Sequence, residues 1–215
     1  MTATAMRLRH LVLVRHGETE GQSSIRYYGA TDVPLSESGR RQLARVGRAL
    51  ADMAVDVIYT SALQRTVEGA RIIAPDVPAR AIASFNEVHF GEWEGLTREE
   101  IAARDPEEFR RWQASDDSFR YPEGESRLAF AARVTTGLYD VLRLQPPGHL
   151  LMVLHRGVIA IILADLLRLD RAQRLVLGID LASIHVVSAP NGHWEAECLN
   201  RTDHLAQPAP ATKIG

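Results

Sequence analysis

Two short apolar runs in this sequence each lead into a histidine with a glycine close behind it. Leu11-Val12-Leu13-Val14 runs into Arg15-His16-Gly17, and Leu150-Leu151-Met152-Val153-Leu154 runs into His155-Arg156-Gly157. Runs this short, without polar alternation, suit strands buried on both faces of a parallel sheet. Ligands of open α/β sheets collect at the carboxyl ends of strands, so both histidines are aimed at one place. A third run, Asp56-Val57-Ile58-Tyr59-Thr60, delivers Ser61-Ala62-Leu63-Gln64-Arg65-Thr66 to the same rim. Arg65 falls in the first turn of a helix opening near Ala62, whose unpaired N–H groups favour an anion. Arg15 adds a second guanidinium. Two histidines, two arginines and a helix N-terminus describe a site for phosphate or carboxylate without a metal. A single histidine at a strand end is more often structural. A matched pair flanked by two arginines is harder to read that way.

The elements that must position these residues are legible from periodicity. Ser36 caps a helix whose apolar residues Leu43, Val46, Leu50 and Met53 share one face, with Arg41, Arg45 and Arg48 opposite and Glu37 four residues before Arg41. A weaker strand covers residues 79–83. Residues 97–112 are charged and helical with a break at Pro106, and Ser126 caps a long helix running to about Leu144. Pro146-Pro147-Gly148 turns into the strand that ends before His155, and an almost wholly apolar helix follows over residues 158–167. Residues 184–188 and 193–198 flank Asn191-Gly192, a strong hairpin signal. Strands alternating with helices give an α/β sandwich with a largely parallel sheet, the closing hairpin adding antiparallel character.

Composition removes other classes. The 215 residues favour a single domain, here residues 1–206, with 207–215 as a flexible Pro-containing tail. A net charge of −2 argues against nucleic acid or an acidic membrane surface as the main partner. The longest apolar run is short and interrupted by Asp165, so no bilayer span is expected, and the N-terminus lacks the pattern of a signal peptide. One cysteine, Cys198, excludes an intrachain disulfide and a multi-cysteine metal site and fits a reducing cytoplasm. The sole lysine, Lys213, lies in the tail, so chemistry needing a P-loop, Schiff-base or kinase lysine is out of reach. No Gly-x-Ser-x-Gly elbow, Gly-x-Gly-x-x-Gly loop or His-Glu-x-x-His pair occurs.

Taken in order, several segments carry a resemblance. They are Leu13-Val14-Arg15-His16-Gly17-Glu18-Thr19, Gly29-Ala30-Thr31-Asp32-Val33-Pro34-Leu35-Ser36, Thr60 to Thr66, Asn86-Glu87, Phe90-Gly91-Glu92-Trp93-Glu94-Gly95, Gly124-Glu125-Ser126 and the strand to His155. The set resembles the histidine phosphatase superfamily, the phosphoglycerate mutase-like group, over nearly the whole chain. The resemblance implies a three-layer α/β/α sandwich with a mostly parallel central sheet. It also implies roles. His16 matches the nucleophile that becomes a phosphohistidine, Glu87 the general acid, and Arg15, Arg65 and His155 the residues holding phosphoryl oxygens. Tyr28 and Gly29 fall in a loop resembling the family's substrate-contacting loop. No cofactor and no metal are implied. The expected partner is a small phosphorylated metabolite, and a homodimer is compatible with the reading. The chemistry agrees: an attacking imidazole must be neutral, two guanidinium charges favour that form, and fixed positive donors stabilise a transferring phosphoryl group.

The departures are informative. Gln22 stands where the family commonly has asparagine, keeping an amide to position phosphate on a longer stem. Arg156 replaces a small residue after the second histidine, and reads either as an anion contact or as a surface arginine turned away. His89, two residues after Glu87, reads as a substrate contact or as structure. The stretch between Glu87 and His155 is short beside that of mutases. This favours a phosphatase, with a cofactor-dependent phosphoglycerate mutase as the alternative. A non-catalytic phosphate-binding module would be expected to lack His16 or Glu87, and both are present.

Overall fold

A computed structural model describes residues 8–114, 117–144 and 148–206. The turn expected at Pro146-Pro147 and the tail at 207–215 lie outside the described residues. The strands are β1 (Leu8–Arg15), β2 (Val55–Thr60), β3 (Ala79–Ala81), β4 (Gly148–Leu154), β5 (Ile184–Ser188) and β6 (Glu195–Arg201). The helices are α1 (Glu37–Ala49), α2 (Gln64–Ile73), α3 (Arg98–Arg104), α4 (Pro106–Gln113), α5 (Arg127–Arg143), α6 (Arg156–Leu166) and α7 (Arg171–Leu175). One six-stranded sheet has the order β3-β2-β4-β1-β5-β6. β3, β2, β4 and β1 run parallel, while β5 is antiparallel to both β1 and β6.

Both faces of the sheet are covered, which is why β1 and β4 read as continuous apolar runs. Successive side chains point to opposite faces. Val12, Val14, Ile58, Leu151 and Val153 meet Leu43 and Val46 of α1 and Ala70 and Ile73 of α2. Leu11, Leu13, Leu150, Met152 and Leu154 meet Phe130, Val134 and Leu138 of α5 and Val158, Ile159 and Ile162 of α6. Each such side chain contributes about 1.5–3 kcal/mol relative to exposure, so the two-sided core fixes the central strands firmly. The three-layer α/β/α sandwich is the architecture observed.

Local differences from the sequence reading have local causes. Ser36 caps α1 by accepting from the Gly39 N–H, but the helix stops at Ala49, so Leu50 is its buried cap and Met53 lies beyond it. β3 ends at Ala81 because the chain coils into a 3-10 turn over Ala83–Phe85. The closing hairpin is present, yet its strands do not meet at Asn191-Gly192. Pro190 and Asn191 sit inside a turn in which the Gly192 N–H reaches Ala189 O, and β6 starts only at Glu195. α7, capped by Asp170 with Gln173 answering, had no periodic signal in five residues.

Two glycines hold the first helix against the loop that carries His16. A Cβ on Gly39 would lie 2.0 Å from Glu18 O, and one on Gly17 would lie 2.5 Å from Gly39 O. Backbone is packed on backbone there, with no side chain able to yield. Gly39→Ala is expected to cost about 1–3 kcal/mol through overpacking and to lower the urea midpoint at unchanged slope. An unchanged midpoint would mean that this loop leaves α1 freely.

Candidate active site

The parallel pairing of β1 with β4 sets Arg15 opposite Leu154, so the next residues, His16 and His155, leave the sheet side by side. Their rings meet edge to face at 5.2 Å between centroids. On the other side of β4, Thr60 pairs with Val153, which delivers Ser61 and then Arg65 to the same rim. Glu87 comes from the loop that follows the 3-10 turn at Ala83–Phe85 and is 8% exposed. Its carboxylate accepts the Val88 and Gly157 N–H groups, each at 2.9 Å. Gly157 is in the first turn of α6, so the positive end of that helix holds the Glu87 carboxylate. A Cβ on Gly157 would lie 2.5 Å from Glu87 Oε1; only glycine permits this approach.

Hydrogen bonds fix the imidazole tautomers. His16 Nδ1 lies 2.7 Å from Gly17 O. A carbonyl only accepts, so Nδ1 carries the proton and Nε2 keeps its lone pair, with no partner among the described residues. His155 has the reverse assignment: its Nδ1 accepts from Arg65 Nε at 3.3 Å, and its Nε2–H donates to Ser61 Oγ at 2.8 Å. Ser61 Oγ and Thr66 Oγ1 are 2.7 Å apart, and Thr66 Oγ1 donates to Leu63 O. Every donor in this buried chain finds an acceptor.

Neither arginine, the buried Arg65 or the half-buried Arg15, has a carboxylate bonded to it. Arg65, fully buried, donates to Thr31 O, Gly29 O and Tyr28 O at 2.9, 2.8 and 3.3 Å. Arg15 donates to Ile179 O at 2.9 Å, and its Nε is buried with no partner. Burial depresses Arg15 to about 10, helped by the Arg156 charge. Burial, and then the charges of Arg65 and Arg15, hold His16 well below its ordinary value. His155 is lowered by burial, Arg65 and His16. Two fixed positive charges therefore face two neutral imidazoles, an arrangement that awaits an anion. Among the described residues no group of three or more His, Cys, Asp or Glu side chains could hold a metal ion.

Of the residues picked from sequence, Arg15, His16, Arg65, Glu87 and His155 converge. Gly29 and Tyr28 join them through their carbonyls on Arg65. The Tyr28 ring packs over Gly21 and Gly95. Gln22 does not join the hydrogen-bonded cluster: it is exposed, its φ is +63°, and its side-chain amide makes no hydrogen bond among the described residues. The N-terminus of α2 also differs from expectation. Three N–H groups at its start are already taken, Ala62 by Asn86 Oδ1, Leu63 by Ser61 Oγ and Gln64 by Asp32 Oδ1. His89 accepts from Gly91 N–H through Nδ1 at 3.2 Å, a turn-forming role.

Three supporting residues had gone unassigned in the sequence. The Glu94 carboxylate accepts from Gly29, Ala30, Thr31 and Phe90 N–H groups, clamping the loop whose carbonyls hold Arg65. Arg133 pairs with Glu125 and donates to Ser84 O, Asn86 O and Glu87 O, fixing the backbone that carries Glu87. Ser61 orients His155. Glu94 and Ser61 lie in motifs already singled out. Arg133 sits in a helix with nothing local to mark it.

The neutral histidines have a pH consequence. Unfolded imidazoles titrate near 6.5 and the folded ones lower, so the unfolded state binds more protons on acidification. Stability is thus full above the unfolded value and declines as pH falls below it. His185, buried and lowered to about 4, adds to the effect. Nitrogen-detected NMR should show His16 protonated at Nδ1 and His155 at Nε2, both still neutral at pH 6. A midpoint at or above 6.5 for either would contradict the site electrostatics.

Comparison with known proteins agrees with this geometry. Residues 11–202 match the model of the histidine phosphatase superfamily (branch 1). The chain is 32% identical to phosphoserine phosphatase 1 of Hydrogenobacter thermophilus, over 92% of this chain and 94% of that protein. It is 36% identical to a 2,3-bisphosphoglycerate-dependent phosphoglycerate mutase of Gloeobacter violaceus, over 76% of this chain and 78% of that one. The solved α-ribazole phosphatase of Shigella flexneri superposes with a TM-score of 0.80 at 25% identity, covering 89% of this chain and 96% of that one.

Proposed function

We propose that this chain, which belongs to the histidine phosphatase superfamily, hydrolyses a small phosphomonoester through a phosphohistidine on His16. The observation that carries the reading is the tautomer of His16. Its Nδ1–H is committed to Gly17 O, leaving Nε2 as a neutral nucleophile beside two guanidiniums that lack carboxylate partners.

The steps follow from those atoms. His16 Nε2 gives its lone pair to phosphorus, the bond to the leaving oxygen breaks, and Glu87 in its acid form supplies that oxygen with a proton. The phosphorylated imidazole becomes cationic and is steadied by the Gly17 carbonyl. Water then attacks phosphorus, Glu87 takes its proton, and the phosphorus–nitrogen bond breaks to restore neutral His16. Arg15, through its unpartnered Nε, and Arg65 balance the charge spread over the phosphoryl oxygens. His155 has both nitrogens engaged, so its part in the unliganded site is to hold Arg65 and pack against His16.

Named phosphatases among the relatives favour water as the acceptor. The similarity to a mutase supports the second reading, transfer between hydroxyls of one substrate. Phosphorus NMR on 3-phosphoglycerate separates them, joined to an alkaline quench that preserves a phosphorus–nitrogen bond. The expected result is inorganic phosphate accumulating ahead of 2-phosphoglycerate, with alkali-stable, acid-labile phosphate on the wild type and none on His16→Ala. Label surviving in His16→Ala overturns the mechanism. Faster 2-phosphoglycerate formation makes the chain a mutase.

A further inference from the structure

The antiparallel pair of β5 and β6 falls out of step at one place. Ile184 pairs with Arg201 and Val186 with Cys198, so Leu199 and Asn200 together stand opposite His185. A bulge of this kind re-aims a side chain. Asn200 has φ +49°, in the left-handed region that asparagine tolerates better than most residues. Its N–H donates to Nδ1 of the buried His185 at 3.1 Å, and its side chain reaches the segment 178–183 between α7 and β5.

There it makes two bonds with one residue. Asn200 Oδ1 accepts the Asp180 N–H and Asn200 Nδ2 donates to Asp180 Oδ2, each at 2.8 Å. A Cβ on Gly178 would lie 2.7 Å from Asn200 Nδ2, so the amide sits close against this backbone. The same segment forms one wall of the candidate site. Ser183 O accepts the Arg15 backbone N–H at 3.2 Å, and the Ala182 N–H donates to His16 O at 3.1 Å. Ile179 O, at 2.9 Å, is the one hydrogen-bond partner of the Arg15 side chain among the described residues.

Two demands meet at Asp180, which follows Ile179 directly and is the only acidic residue from 178 to 183. Arg15 must keep the Ile179 carbonyl, and it must not acquire the neighbouring carboxylate, which would cancel the charge offered to an anion. Among the described residues, Asn200 is the only hydrogen-bond partner of that carboxylate. We propose that Asn200 is a positioning residue for Arg15: by binding both the backbone and the carboxylate of Asp180, it keeps the Ile179 carbonyl on the guanidinium and the carboxylate off it. The consequence for binding rests on the phosphatase reading, in which Arg15 meets the phosphoryl group.

Asn200→Gly removes the side chain while glycine keeps the left-handed backbone accessible. Two readouts on the folded variant separate positioning from support of the fold alone. The first is the Arg15 Nε–H resonance of the ligand-free protein, with that of Arg65, which donates to His155, as the control. The second is calorimetric binding of orthovanadate. In Asn200→Gly the Arg15 signal should move and the Arg65 signal stay, and vanadate should bind about tenfold more weakly, the scale of a small misplacement at a site. Asn200→Asp keeps the acceptor for the Asp180 N–H but sets two carboxylates face to face, and should show the same changes even if the glycine variant fails to fold. Asp180→Asn added to Asn200→Asp reverses donor and acceptor, and should return the Arg15 signal and bring vanadate affinity within about threefold of wild type. An Arg15 signal unmoved in Asn200→Gly, or Arg15 and Arg65 signals moving together, overturns the proposal. So does a vanadate affinity that is unchanged in Asn200→Gly or unrestored by the reversed pair. If the wild type neither binds vanadate nor releases phosphate from p-nitrophenyl phosphate, the phosphatase reading itself fails, and the two arginine signals alone decide the role of Asn200.

Discussion

Two guanidinium groups held on carbonyl oxygens, Arg65 fully buried and Arg15 half-buried, are the feature on which the rest of this structure depends. Removing an ion from water costs several kcal/mol even after relaxation, and a bonded carboxylate would be the usual compensation. Arg15 and Arg65 have none. Carbonyls of Ile179, Thr31, Gly29 and Tyr28 satisfy part of their hydrogen-bonding capacity while leaving their charge in place. The same charges, added to burial, keep His16 and His155 neutral. One constraint thus makes the site attractive to an anion and keeps both imidazoles neutral.

Holding two unpaired cations together demands a rigid frame, and the surrounding structure supplies it in layers. The parallel register of β1 and β4 sets the two histidines adjacent, and the two-sided apolar core prevents those strands from slipping. Around them, charged groups act on the backbone. Glu94 gathers four N–H groups of the loop that carries the Arg65 acceptors, and Arg133 gathers three carbonyls leading up to and including that of Glu87. Catalytic geometry must be kept to fractions of an ångström. These buttresses do so without placing a carboxylate on either site arginine.

The sequence disclosed the convergence and concealed its wiring. Arg15, His16, Arg65 and His155 were legible because each follows a short apolar run, and strand ends of a parallel sheet point one way. Glu87 follows no such run and came only through resemblance. Leu43 and Val46 revealed α1, but Met53 overextended it, because a hydrophobic period does not show where a helix stops. The free N–H groups expected at α2 were missed as occupied because their acceptors, Asp32 and Asn86, are distant in sequence. Arg133 and the tautomers of the two histidines depend on three-dimensional partners and leave no local trace. Gln22 kept the amide of the family pattern while the backbone, at φ +63°, left it outside the hydrogen-bonded cluster.

Calorimetric titration of orthovanadate, a phosphate mimic, into wild type and Arg65→Met at pH 7 tests the central claim most directly. If uncompensated guanidinium charge builds the site, the wild type binds vanadate and Arg65→Met binds it about a hundredfold more weakly, consistent with the loss of one charged contact of about 2–4 kcal/mol. A folded Arg65→Met protein that binds vanadate within about threefold of wild type would contradict the account.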